Sequence, residues 1–246
     1  MHPIATRDAA RRMLDDGLNL SEVSRALGVS RASLRAWRDP LRPVSRECPF
    51  CDGAPLPRSA YGALLGYYLG DGTVSVHGRH TALRICCDAG YQGIIRDVEA
   101  LTGAVRPLRT TFRVSAPGVC VVQSNWKHWP CLFPQHGPGR KHERRIALEP
   151  WQREIVDQCP ADFLRGLFHS DGSRVNNWAT RVVAGHVKRY DYPRWQFTNN
   201  SGDIQHLCCQ ALDAVDVPWR QSNWKTISVS TRAAVARLDE LIGPKR

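Results

Sequence analysis

The sequence predicts an α+β fold made of two related halves behind a small all-α domain, and three observations predict it. An apolar run ending in Asp-Gly occurs twice, at 61–72 (YGALLGYYLGDG) and 163–172 (FLRGLFHSDG), with Asp71 and Asp171 100 positions apart. The pentapeptide QSNWK also occurs twice, Gln123 lying 52 residues beyond Asp71 and Gln221 lying 50 beyond Asp171. A near-constant offset between two independent repeats points to duplication, that is, to a pseudo-dimer within one polypeptide. Stretches that alternate apolar and polar residues follow each Asp-Gly. Each half therefore combines one Asp-ended helix with two strand pairs and at least one more helix.

The first domain covers residues 1–42. Thr6 to Leu14, Leu20 to Leu27 and Ser30 to Trp37 read as helices, the second entered through Asn19 as N-cap, with Gly28-Val29 turning the chain into the third. Residues 21–37 (SEVSRALGVSRASLRAW) resemble the helix-turn-helix of resolvases, transposases and many bacterial regulators. That resemblance implies that the third helix enters a major groove, with Ser30, Arg31, Ser33 and Arg35 at base edges and Arg38 on the backbone. A three-helix bundle with a solvated basic face is the other reading.

Residues 43–58 hold four prolines and a glycine and read as a linker. Cys48 and Cys51 within it have the spacing of half a zinc knuckle. A closed zinc site needs four ligands, and no second CxxC or paired histidine follows at the usual interval. His128, Cys131 and His136 are residues that could complete it; a reduced cysteine pair in a turn is the alternative. The adjacent pairs Cys86-Cys87 and Cys208-Cys209 suit strand faces or a helix better than a shared metal.

The first repeat is set at 59–145 and the second at 146–246. In the first, 73–87 alternates, turns at Gly78 and alternates again, placing Arg79, His80 and Arg84 on a polar face. A basic loop at 134–145, whose Arg140 and Lys141 are expected on DNA across the minor groove or else belong to a merely basic linker, joins the repeats, and a helix begins within 146–158. In the second, Arg174 opens two strands joined by a basic segment holding His186, Lys188 and Arg189; Arg174, Lys188 and Arg189 are expected on DNA, tracking phosphate or reaching into a groove, and charge that serves solubility is the other reading.

Each Asp-ended run is apolar nearly all round, so it reads as a buried helix, and the following glycine is expected to stop it in the left-handed conformation. An aspartate in the last turn faces the negative end of the helix dipole. Two such placements suggest a cation. Gly62, Gly66 and Gly70 recur every four residues on one run and Gly166 and Ser170 on the other. Packing these stripes together brings Asp71 and Asp171 side by side.

Lys and Arg outnumber Asp and Glu to give a net charge of +11 on 246 residues. A chain so basic gains affinity by displacing counterions from phosphate. No run approaches the roughly 18 to 20 apolar residues of a membrane-spanning helix, and the N-terminal residues lack the apolar core of a secretion signal. The expectation is a cytoplasmic protein with mostly reduced thiols.

Residues 64–72 (LLGYYLGDG) and 164–172 (LRGLFHSDG) resemble two copies of the nine-residue signature of the LAGLIDADG homing endonucleases, with the third-place glycine and the final Asp-Gly kept. The sixth place, often acidic in that family, is Leu69 in one copy and His169 in the other. The resemblance implies two curved antiparallel sheets over double-stranded DNA, with Asp71 and Asp171 holding two or three Mg²⁺ for in-line phosphodiester hydrolysis in a monomer. It also implies a basic sheet residue in each half, for which Lys127 and Lys225 are the matching positions, with Gln123 and Gln221 as water-positioning partners. In the other reading of the pentapeptide, its tryptophan packs on the signature helix and its lysine is solvated. A DNA-binding regulator that keeps the fold without cutting, and an RNA-splicing helper, are the rival functions.

Overall fold

The computed structural model describes residues 4–38, 48–77, 80–106 and 111–246. The chain divides into two compact units, Met1–Arg46 and Glu47–Arg246.

In the first unit, helix α1 (Ile4–Asp15) packs with α2 (Leu20–Leu27) and α3 (Arg31–Arg38). Asn19 caps α2: its side chain accepts from the Ser21 and Glu22 amides at 3.0 Å each, while Glu22 accepts from the Asn19 amide at 2.8 Å. This reciprocal arrangement satisfies donors that a helix start otherwise leaves unpaired. Gly28 ends α2 at φ +62°, where a side chain would be strained. Ala10, Val23, Val29 and Leu34 form the small core. The third helix starts one residue later than its pattern suggests because Ser30 caps it, its Oγ accepting from the Ser33 amide at 3.2 Å.

The second unit contains the duplication. Its first repeat runs α4 (Arg58–Asp71), β1 (Gly72–His77), β2 (His80–Asp88), α5 (Gln92–Val105), β3 (Phe112–Ala116), β4 (Val119–Asn125) and α6 (Trp129–Leu132). After a 3₁₀ turn at Lys141–Glu143, the second runs α7 (Pro150–Gln158), α8 (Pro160–Asp171), β5 (Gly172–Val183), β6 (His186–Thr198), α9 (Gly202–Ala214), β7 (Arg220–Asn223), β8 (Thr226–Val229) and α10 (Arg232–Ile242). The four-stranded antiparallel sheets have matching orders, β1-β2-β4-β3 and β5-β6-β8-β7. This is the α+β, pseudo-twofold architecture that the two Asp-ended runs predict.

Helices α4 and α8 form the spine. Every residue from Tyr61 to Leu69 is buried. The small-residue stripe lets the two backbones touch. A Cβ on Gly66 would lie 2.3 Å from the Phe163 carbonyl oxygen, and one on Gly166 would lie 2.1 Å from that of Ala63. Large apolar side chains then fill the space between spine and sheets, each worth about 1.5–3 kcal/mol on full burial. In the second repeat Phe168 meets Trp195 edge-on at 5.6 Å and Phe197 at 5.7 Å.

Two expectations fail here. Gly72 and Gly172 are extended, at φ −92° and −89°, not left-handed. They are required for a different reason: a Cβ on either would stand 2.4 Å from the Tyr68 Cα or 2.3 Å from the Phe168 carbonyl oxygen as the helix turns straight into a strand. Nor is there a basic segment between two separate strands in the second repeat. Strands β5 and β6 form one long hairpin turning at Ala184 and Gly185, so Lys188 and Arg189 lie on the ladder itself, opposite Arg181 and Thr180.

The QSNWK pentapeptides occupy different places in the two repeats. Ile85 and Phe197 both sit opposite the glycine that follows the aspartate, and their own partners are Val122 and Ile227. In that register Gln123 corresponds to Ser228 and Lys225 to Cys120. The first copy forms the end of the inner strand β4 and the turn beyond it, whereas the second spans the edge strand β7 and the turn into β8. The pentapeptide is therefore not a trace of the duplication, although the duplication is real.

Candidate active site

The spine delivers both aspartates to its foot. A Cβ on Gly70 would lie 2.0 Å from the Ser170 hydroxyl and 3.4 Å from an Asp171 carboxylate oxygen, so each helix end abuts the other. Asp171 accepts a hydrogen bond from the Asn199 side chain at 2.6 Å. Among the described residues no hydrogen bond or ion pair reaches the Asp71 carboxylate, which opens to solvent although protein encloses its other sides. Burial and the charge of Asp71 push the Asp171 carboxyl up to about 6, against the opposing pull of Asn199 and two lysines. Burial raises Asp71 as well.

Those lysines are the principal residues that sequence reasoning misplaced or missed. Lys141 lies under α4, its ammonium donating to the carbonyls of Tyr68 at 2.7 Å, Leu69 at 2.8 Å and Gly72 at 3.0 Å, and to that of Gly70. Lys245 does the same under α8, donating to Ser170 at 3.0 Å and Gly172 at 2.6 Å. A cation on the unpaired carbonyls of a helix C-terminus both fills hydrogen bonds and opposes the dipole. Burial lowers both ammonium groups, Lys141 to about 8, while the two aspartates hold them up. The cation that the dipole argument demands is thus present in the chain itself, twice. A signal for it exists: Gly137-Pro138 precedes Lys141 and Gly243-Pro244 precedes Lys245.

The arrangement is crossed. Asp171 faces a cleft of about 380 Å³ that also takes in Gly70 and Lys141 of the first repeat and Asn199 and Lys225 of the second. Asp71 faces a cleft of about 190 Å³ with Cys86 and Asp88 of the first repeat and Ser170 and Lys245 of the second. Each cleft therefore needs both halves. The tails that carry the lysines cross as well. Beyond Lys141 the Ile146 amide donates to Asp203 at the start of α9 at 2.7 Å, and beyond Lys245 the Arg246 carbonyl accepts from the Ile94 amide in α5 at 3.0 Å. His169, the second sixth-place residue, is buried beside this tail. Its Nδ1 is 3.1 Å from the Tyr67 hydroxyl and its Nε2 3.3 Å from the Gly243 carbonyl.

The other expected site residues divide. Lys225 lines the Asp171 cleft. Lys127 does not come near Asp71: it follows the C-terminal end of β4, and the foot of α4 meets the opposite end of that sheet. Gln123 accepts from Arg84 at 2.9 Å in mid-sheet, and Gln221 donates to Gln205 at 2.9 Å on the edge strand, so neither addresses the aspartates. Lys141, expected on DNA, is consumed by the helix end. Arg174 is held in a two-pronged ion pair with Asp239, and Arg189 pairs with Asp191 at 2.8 Å. In the first unit Arg31, Arg35 and Arg38 are exposed, while Ser30 and Ser33 hydrogen-bond each other at 2.9 Å. Arg140 and Lys188 are exposed. Arg79 lies outside the described residues. Cys48, Cys51, His128 and Cys131 converge behind the first sheet, without His136, whose Nδ1 faces the Phe133 carbonyl.

No family model matches the chain, and no curated protein matches it. Among solved structures it is similar to the N-terminal LAGLIDADG domain of DUF199/WhiA, at 14% identity and TM-score 0.45 over 82% of this chain and 87% of that one. It is similar to full-length DUF199/WhiA from Thermatoga maritima at 15% identity and TM-score 0.48, over 78% of this chain and 58% of that one. A third, I-DmoI in complex with DNA and Mn, stands at 11% identity and TM-score 0.49 over 76% of this chain and 98% of that one.

Proposed function

We propose that this chain is a DNA endonuclease that hydrolyses phosphodiester bonds of a duplex with Mg²⁺ held between Asp71 and Asp171. The observation that carries this reading is the pair of carboxylates at the meeting point of two helices, without an ion pair among the described residues and raised in pKa by burial and, at Asp171, by the neighbouring aspartate. Hard oxygen donors with which neither neighbouring ammonium group pairs directly suit Mg²⁺. The neighbouring ammonium groups do not compete for the carboxylate oxygens, because their protons are directed to main-chain carbonyls. When bound, Mg²⁺ would activate water and stabilise the attacking and leaving oxygens of an in-line displacement. Asn199 fixes the Asp171 carboxylate, Lys141 and Lys245 hold the helix ends that present the aspartates, and Lys225 offers positive charge at the mouth of the Asp171 cleft. Exposed cations, with Arg31, Arg35 and Arg38 in the first unit and Arg140 and Lys188 in the second, would hold phosphate.

The test is incubation of the purified chain with Mg²⁺ and a pool of long duplexes, scoring retention and strand breaks together. Asp71→Asn and Asp171→Asn should each abolish double-strand cleavage and leave affinity in EDTA close to that of the parent. If either single variant still cuts both strands at the parent rate, the shared metal site is wrong. One observation favours a second reading, a DNA-binding regulator without cleavage: two lysines already stand beside two aspartates. Retention of duplex without breaks by the parent chain is the result that selects it.

A further inference from the structure

We infer that Cys48, Cys51, His128 and Cys131 form a structural zinc site that fastens the segment before α4 to the back of the first repeat. Cys51 Sγ lies 3.6 Å from His128 Nδ1 and 3.5 Å from Cys131 Sγ, and Cys131 Sγ lies 3.7 Å from the same Nδ1. All four ligand atoms fall within 4.8 Å of one another. A tetrahedron built on ordinary Zn–S and Zn–N bonds has edges of about 3.5–3.8 Å, so the three shorter separations already match the edges of such a site. A disulfide does not account for the cluster, since bonded sulfurs approach to about 2.05 Å.

The surrounding chain is shaped for the same purpose. Cys48 and Cys51 straddle a tight turn in which the Asp52 amide donates to the Cys48 carbonyl at 2.8 Å and the Asp52 carboxylate accepts from the Cys48 amide at 2.6 Å. Gly53, at φ +67°, lets the chain leave it. His128 is the residue at the N-cap of α6 and Cys131 lies within that helix, three residues on. Trp126 buttresses the imidazole edge-on at 5.3 Å, and Phe50, inside the turn, packs on Trp151 of α7 at 5.9 Å. The set is soft, mostly sulfur, and closed, with no ligand position left open for a substrate, as structural zinc sites are. It joins positions 80 residues apart in the chain.

Elemental analysis of the full-length chain, reconstituted with zinc and dialysed exhaustively, should find one zinc per molecule. Cobalt in its place should give the thiolate charge-transfer band and the strong visible absorption of tetrahedral coordination. Cys51→Ser and Cys131→Ser should lose the metal, whereas His136→Ala and the control Cys159→Ser should keep it. Should a ligand variant fail to fold, thiol alkylation of the parent chain decides: Cys51 and Cys131 should be protected until a chelator is added. A zinc-free parent, zinc retained by both ligand variants, an octahedral cobalt spectrum, or alkylation at one rate with and without chelator would each overturn the site.

Discussion

Asp71 and Asp171 stand beside two ammonium groups and pair with neither, and this decides how the site responds to pH. Asp171 has a folded-state pKa of about 6, above the roughly 3.9 of an unfolded chain, so protonation favours the folded state. Its contribution is intact below about pH 4 and becomes a penalty as pH rises through about 6. Asp171→Asn should therefore stabilise the metal-free chain at about pH 7 by roughly 1–2 kcal/mol, after allowance for partial exposure, and the gain should vanish near pH 4. Thermal melts in EDTA at both pH values check this, and a variant that melts lower than the parent at neutral pH would contradict it. The aspartates were legible in the sequence because an acid at the wrong end of an apolar helix is conspicuous. Lys141 and Lys245 were not, because a lysine that folds back beneath a helix looks like any surface lysine. Asn199 was hidden for the same reason: its role depends on where β6 ends in space.

Among the elements, the spine is the least forgiving. Gly166→Ala would drive a methyl group to 2.1 Å from the Ala63 carbonyl oxygen, and backbone cannot yield as a side chain does. Such overpacking costs about 1–3 kcal/mol or more, and it should also separate the aspartates. Chemical denaturation should show the loss, whereas Gly103→Ala, which meets nothing within 4 Å, should not. The pentapeptides give a sharper test. Trp126 is 8% exposed and Trp224 70% exposed. Trp126→Ala should cost about 3–5 kcal/mol and Trp224→Ala less than about 0.5 kcal/mol. Equal costs would restore the equivalence that the strand register denies. Hydrophobic pattern and the Asp-Gly ends carry enough local information to place α4, α8 and the first hairpin. Identical letters at nearly equal offsets carry none about pairing, because the long β5-β6 hairpin shifts the register of everything after it.

For the whole molecule, the division into Met1–Arg46 and Glu47–Arg246 separates two cores that each close on their own residues. Removing residues 1–46 should leave the melting of the larger unit nearly unchanged, weaken duplex binding and shorten a nuclease footprint at one end. A footprint unchanged at both ends would remove the first unit from recognition. The duplication was legible from the two signature runs. The crossing of the tails was not, since it follows from three-dimensional closure of a pseudo-twofold pair. That crossing bears on biosynthesis. Asp71 emerges from the ribosome early, but the cleft it faces is closed by Lys245, which is translated only after the entire second repeat. A chain terminated before Lys245 thus keeps the Lys141 cap on α4 but carries the second signature helix with an uncapped end, and the cleft at Asp71 is half-built. Completion of the cleft at Asp71 is thereby withheld until synthesis has passed the second repeat, so that under the proposed function translation itself would time the onset of activity.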